Sequence, residues 1–317
     1  MVAPRDRAKA PNPPLHLADR VASLEGYEDP LARYEQLGAE SREAILQMLP
    51  EGFSLAGRRV LDFGCGAGRT LAHFLDEAAE AEIWGCDIDA ESIEWVQRSL
   101  CPPLRAAQCA DQPPLPFEDS TFDLVWAVSV FTHLTESWSS WLLEMERILR
   151  PDGLLIATFM GRHVSRWLTG EEWDEDRHGM NVLNHLAGWE DGGPIVLHSE
   201  WWVRAHWGRA FEIVAIEERL PNEDWVHSWV LMRPRSPAPS REELERAEPG
   251  EAREVEALRH NLAQLRREME RAVRETHERS VQETEQRVRE TAASFEESAS
   301  WRLTRPLRRL KQGLRGR

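Results

Sequence analysis

The chain has 317 residues, enough for one α/β domain of ordinary size and an appendage, and its 55 acidic against 39 basic residues leave a formal charge of -16. That balance excludes nucleic acid as a partner of the body of the protein, because phosphate binding needs a concentrated positive face. Four cysteines with no CxxC pair, and no apolar run approaching 18 residues, argue against a disulfide scaffold and a membrane span; a reduced, cytoplasmic setting is expected.

Residues 1–25 are rich in proline and charge and lack the apolar core of a secretory signal, so they are expected to be disordered. Apolar residues then recur at helical spacing from 30 to 49. Beyond this, short apolar or β-branched runs alternate with amphipathic stretches, the pattern of βαβ units. Strands are predicted at 59–63, 82–87, 104–109, 123–128, 153–159, 211–218 and 226–232. A short turn around Pro221 and Asn222 joins the last two, which predicts an antiparallel hairpin closing a mostly parallel, seven-stranded sheet. The domain is placed at 26–233, with residues 161–210, between the fifth and sixth strands, as a cap.

After Arg233 the composition shifts. Residues 234–250 read as a Pro- and Ser-rich linker with a short helix, opened by a capping box of Ser240 and Glu243. Over 251–297 the spacing of Val255, Leu258, Leu262, Leu265 and Met269 is that of a coiled-coil seam. The seam weakens further on, where His277, Thr284 and Thr291 occupy it. The segment is either a self-associating coiled coil, making the protein a homo-oligomer, or a solvated single helix laced by i,i+4 ion pairs. The tail, 298–317, holds seven basic residues and no acidic one.

Residues 60–70, VLDFGCGAGRT, place a strand, a glycine-rich turn and a helix start in succession, so that backbone can approach a ligand and unpaired helix N–H groups can face it. A dinucleotide fingerprint wants glycines at 64, 66 and 69, but position 69 is arginine and the third glycine is Gly68. The spacing, with Asp62 before it, resembles motif I of the class I S-adenosylmethionine-dependent methyltransferases. IWGCDID ends a second strand at Asp87, CADQPPLPF carries Asp111, and RILRPDGLLIATF resembles the family's helix, turn and fifth strand. The resemblance spans about residues 55–160 and implies a Rossmann-like fold and S-adenosyl-L-methionine as cofactor. It also implies that Asp62, Gly64, Cys65, Gly66 and Gly68 line the cofactor and that Asp87 holds its ribose. Ile88 would pack on adenine, Asp111 face the adenine amino group, and Ala127 meet the methionine part.

His133, in FTHL just past the fourth strand, falls at the carboxyl edge of the sheet, where open α/β folds bind ligands. It is the candidate general base, with a structural role as the alternative. The cap carries Trp167, Trp173, Trp189, Trp201, Trp202 and Trp207. Flat indole faces suit a sugar ring, although packing among themselves accounts for most of them. Its histidines and carboxylates lack zinc spacing, so no metal is assigned; the acidic run WDED is the one place a divalent ion could sit.

SWRLTRPLRRL, starting at Ser300, resembles a C-terminal sequence that follows coiled coils in bacterial glycosyltransferases and other surface-polysaccharide assembly proteins. It reads as a basic amphipathic segment, suited to the inner face of the membrane or to an assembly protein with an acidic groove. The function expected is methylation of a sugar hydroxyl of a cell-surface glycan or its precursor. Methylation of a small metabolite or protein, and a non-catalytic scaffold that keeps a cofactor domain, are the alternatives.

Overall fold

The structure is a computed structural model that describes residues 11–20, 24, 26–188, 192–218, 227–297 and 303–304. The turn at Pro221 and Asn222, and the basic tail apart from Leu303 and Thr304, lie outside the described residues. The chain divides into two units, Met1–Leu265 and Arg266–Arg317.

In the first unit, helices α1 (Leu15–Arg20) and α2 (Pro30–Met48) precede strands β1 (Arg59–Phe63) and β2 (Glu82–Asp87). Then come α3 (Ala90–Ser99), β3 (Arg105–Gln108), β4 (Phe122–Ala127), α4 (Trp138–Ile148) and β5 (Leu149–Phe159). The cap contributes α5 (Arg162–Thr169), β6 (Met180–Leu183) and β7 (Ile195–His198), followed by α6 (Glu200–Ala210), β8 (Phe211–Glu217), β9 (Ser228–Pro234) and α7 (Arg241–Glu245). Helix α8 (Arg253–Glu297) completes the described elements. The main sheet runs β3-β2-β1-β4-β5-β9-β8. β1 through β5 are mutually parallel, and β9 is antiparallel to both neighbours, so the predicted hairpin closes the sheet by inserting its second strand next to β5. β6 and β7 form a separate two-stranded sheet.

Strand alternation sorts side chains onto two cores. Leu61 and Phe63 of β1 and Val125 and Ala127 of β4 face the layer that holds Trp138, Trp141, Trp202 and Trp207. Val60, Leu124 and Trp126 face α2, α3 and Phe74. Helix α6, expected in the cap, belongs to the first layer instead. Its Trp202 lies edge-on to Trp138 of α4 at 5.0 Å, and its Trp207 packs on Phe131 at 5.0 Å, because an indole-rich helix gains most by burying those faces against the sheet.

Three more expectations are corrected. Within 1–25, residues Leu15–Arg20 form a helix with Leu17 and Ala18 buried; the proline-rich opening misled because two apolar side chains suffice to dock one turn and a half. After the glycine loop the chain makes two short 3-10 helices, Leu71–Phe74 and Glu77–Ala79, in place of an α-helix. Leu71, His73, Phe74 and Leu75 are all buried, more than one face of a 3.6-residue period can carry. The appendage also begins later than residue 251. Ser240 and Glu243 form the expected capping box, but α7 buries Leu244 completely, and the first turns of α8 pack on the domain through Glu254, Ala257 and His260. Asn261 Oδ1 accepts the Val182 amide at 2.9 Å, and Gln264 Nε2 donates to the Val182 carbonyl at 3.0 Å, so α8 caps the edge of β6. The predicted seam residues Val255, Leu258 and Leu262 lie on the exposed face of these turns.

In the second unit α8 extends to Glu297, with Met269, Val273, Val281, Val288 and Phe295 exposed along it. Among the described residues no helix is long and apolar enough to cross a membrane.

Candidate active site

Most residues singled out in the sequence lie on or just past β1, β2 and β4, while Asp111 lies past β3. The glycine loop runs through positive φ at Gly64 (76°) and Gly68 (83°), conformations that cost other residues energy. A Cβ on Gly64 would stand 2.4 Å from Val130 Cγ2, so the loop needs glycine there for its packing on the segment after β4. The loop's own amides are largely paired within the protein. Gly64 and Cys65 both donate to the Cys86 carbonyl, at 2.8 and 3.1 Å, and Gly68 donates to Cys65. Gly66 donates to Asp87 Oδ2 at 2.7 Å. The Cys65 side chain is buried, and burial pushes its thiol well above the ordinary range. One loop amide thus holds the carboxylate of the next strand, and two more tie the loop to that strand's backbone.

That carboxylate ends β2. Asp87 accepts Gly66 on one oxygen and the Asp89 amide on the other, at 2.9 Å, which fixes its plane and leaves lone pairs on both oxygens for further donors. Burial raises its pKa, opposed by these amide bonds. Ile88, next to it, is 44% exposed, a large apolar side chain open to a flat ligand face, and Asp111 is exposed beyond β3. Ala127 is buried at the end of β4 beside Ala157.

Asp62, in register with Trp126, is 2% exposed, and its Oδ2 has no hydrogen-bond partner among the described residues. Burial pushes its pKa up to about 7, with the Arg69 guanidinium pulling the other way. Arg69 and Tyr34 complete this buried group; burial lowers the arginine's pKa and raises the phenol's. Sequence reasoning noted Arg69 only as a break in a dinucleotide fingerprint and passed over Tyr34, whose helix α2 gave no sign of reaching the site.

These features suit a cofactor with a vicinal diol, a flat base and a charged amino-acid end. Residues 61–157 match the family described as methyltransferase domain. Over that segment the chain is similar to methyltransferase domains. The phthiotriol/phenolphthiotriol dimycocerosates methyltransferase 1 of Mycobacterium ulcerans is 32% identical over 115 residues, 36% of this chain and 42% of that protein. A malonyl acyl-carrier-protein O-methyltransferase of Halorhodospira halophila is 30% identical over 165 residues, 50% of this chain and 54% of that protein. The chain thus spans about half the length of the curated relatives it matches. A solved S-adenosylmethionine-dependent methyltransferase from Mesorhizobium loti superposes with a TM-score of 0.48 at 17% identity, covering 62% of this chain and 98% of that one.

Past β4, His133 Nδ1 donates to the Pro194 carbonyl at 2.8 Å, which makes Nε2 the basic nitrogen, and burial lowers the ring's pKa. The same bond ties the cap down, as do Val196 N to Thr132 O at 2.7 Å and His198 N to Met160 O at 2.6 Å. His227, at the entrance to β9, is buried near Arg69 and His133, and burial pushes its pKa down to about 3. Nothing in its sequence context, a histidine in an apolar run, marked it. Of the cap tryptophans, Trp201, Trp202 and Trp207 are buried, Trp173 stacks on His178 at 4.5 Å, Trp167 is 77% exposed, and Trp189 lies outside the described residues. Among the described residues no cluster of three or more His, Cys, Asp or Glu could hold a metal ion.

Proposed function

We propose that this chain is an S-adenosyl-L-methionine-dependent methyltransferase that methylates a hydroxyl of a cell-surface glycan or its precursor. The observation that carries the cofactor assignment is Asp87, fixed by the Gly66 and Asp89 amides at the end of β2 with acceptor capacity to spare for two ribose hydroxyls. Ile88 and Asp111 would take the adenine, and Asp62 and Arg69 the charged amino-acid end. The cofactor, when bound, supplies an electrophilic methyl group on a sulfonium.

The protein's own part is to position the acceptor and to take its proton. His133 suits the role of proton acceptor, because its ring is oriented by Pro194 and its lowered pKa keeps it neutral near pH 7. The glycan reading draws on the tail sequence and on Trp167 and Trp173, the tryptophans that remain in the described cap once α6 packs on the sheet.

Calorimetry tests the cofactor. S-adenosylhomocysteine should bind, and Asp87→Ala should weaken it by about 1.5–3 kcal/mol, the range for losing a charged acceptor. Equal affinity in the two proteins overturns the ribose assignment, and binding of NAD in its place overturns the whole reading. The exposed apolar row of Met269, Val273, Val281, Val288 and Phe295 supports pairing with a second copy. Sedimentation equilibrium should give a dimer that Val273→Glu with Val288→Glu reduces to a monomer; a monomeric wild type at micromolar concentration removes the coiled coil.

A further inference from the structure

The spacing of the apolar seam of α8 reads the same in both directions. Counted from Val273, seam residues stand 4, 8, 11, 15 and 18 positions away on either side. Toward the start of the helix these are Met269, Leu265, Leu262, Leu258 and Val255; toward its end they are His277, Val281, Thr284, Val288 and Thr291. We infer that a second copy of the chain lies antiparallel on this seam, with the two-fold axis at Val273, so that each of these residues meets a seam residue of the other copy. The inference rests on the coiled-coil reading and adds to it the direction and register of the pair.

Periodicity is the first reason. A heptad seam steps by three and four, and the run of steps of four from Leu265 to Val281 interrupts that alternation. Two antiparallel helices must set their irregular stretches opposite each other to stay in contact. Alignment on Val273 does so and also matches the regular steps beyond, with Leu262 on Thr284 and Leu258 on Val288. A slip of one heptad would set Val273 against Ser280, which is not in the seam.

The second reason is that the face is open and chemically ready. Val255, Leu258 and Leu262 are 54%, 56% and 50% exposed, although the same turns dock on the domain through Glu254, Ala257 and His260. The polar members need no polar partner across the seam. Thr284 and Thr291 donate their hydroxyls to the Ser280 and Arg287 carbonyls of their own helix, at 2.8 and 2.7 Å.

Charge chooses the direction, since the seam residues themselves could pair either way. Antiparallel alignment sets Arg259 against Glu285 and Arg266 against Glu278 along one flank, and the two-fold axis repeats both. The other flank sets Asn261 by Arg287 and Glu268 by Ser280, with no like charges together. A parallel pair would join flanking residues five apart: Asn261 to Arg266, Glu268 to Val273, Ser280 to Glu285 and Arg287 to Ala292, none of them opposite charges. It would also join Glu254 to Arg259, but Glu254 is buried against His206 of its own chain. Within one chain Arg259 stands 3.7 Å from Glu256 and Glu285 3.0 Å from Arg289, exposed pairs that hold their members weakly and leave capacity for a second partner. In the antiparallel pair the basic tail of each copy, which follows Glu297, begins beside the residues where α8 of the other copy starts.

The test uses the full-length protein with Cys101→Ser, because Cys65, Cys86 and Cys109 are buried. Leu262→Cys and Thr284→Cys chains, co-expressed with different tags and oxidised, should be joined to each other by a disulfide, and neither variant alone should cross-link to itself. Sedimentation equilibrium gives a second readout. Arg259→Glu with Arg266→Glu should weaken the dimer at least tenfold, and adding Glu278→Arg with Glu285→Arg to the same chain should restore it. Self-cross-linking of Leu262→Cys with none to Thr284→Cys, or no restoration by the second pair of substitutions, overturns the antiparallel register and leaves the coiled coil standing. A monomeric wild type ends both.

Discussion

The two halves of the carboxyl edge are built differently. On the cofactor half, everything that shapes the Asp87 carboxylate comes from two short stretches, 60–68 and 82–89, and the contacts are backbone amides on a carboxylate. On the half proposed for the acceptor, His133, Pro194, His198, Glu218 and Ser228 arrive from four separate segments, and backbone bonds of β7 to Thr132 and Met160 hold the piece together. A site made of neighbours in sequence keeps a fixed spacing that can be read. A site gathered by packing does not.

His133 stands where the halves meet, and changing it should have the largest effect. His133→Ala removes both the basic nitrogen and the tie to Pro194; turnover should fall by about 10²–10⁴ with cofactor affinity nearly unchanged. His133→Asn keeps a donor for the Pro194 carbonyl but no base. If asparagine restores turnover, the histidine serves only to hold the cap, and the acceptor half loses its base.

A second substitution tests how far the acceptor half extends. His206 of α6 is hydrogen bonded to Glu254 of α8 at 3.0 Å and to the Leu244 carbonyl at 3.2 Å, with both side chains at most 5% exposed. Glu254→Ala should destabilise the domain by about 1–3 kcal/mol in urea unfolding, the cost of leaving the buried His206 nitrogen without its partner. Cofactor affinity should not change. A loss below about 1 kcal/mol, the scale of an exposed pair, would mean that the first turns of α8 are not part of the folded domain.

That docking explains one limit of the sequence. Val255, Leu258 and Leu262 announce an apolar stripe at helical spacing, and pattern reasoning assigns it to the buried side; in these turns the side that docks is Ala257 with the polar Glu254, His260, Asn261 and Gln264, bonded to partners more than 40 residues away. The strands were legible because apolar runs buried on both faces have few other uses. Their ends were placed within a few residues, and Asp62, Asp87 and Ile88 with them. The 3-10 turns after Gly68 were not legible, since a helix start and a wholly buried turn share the same leading residues. His198 and His227 carry their meaning only in what surrounds them, and that surrounding is tertiary.

The smallest effect concerns the cofactor half and works through pH. Asp62 is held near 7 against an ordinary value of 3.8, a difference that corresponds to at most about 4 kcal/mol. Because its folded pKa is raised, the unfolded chain ionises first. The stability Asp62 contributes is complete below about pH 4 and is lost as pH rises through about 7. Asp62→Asn, which cannot ionise, should therefore flatten the decline of the melting temperature between those limits, and above pH 7 it should be the more stable protein. Binding of a cofactor with a positively charged amino-acid end would favour the ionised carboxylate and release a proton near pH 6.5. Calorimetry in buffers of different ionisation enthalpy should detect that proton in the wild type and not in Asp62→Asn. An identical pH profile in the two proteins would mean that Asp62 is already ionised throughout, and its place in the cofactor site would then rest on burial alone.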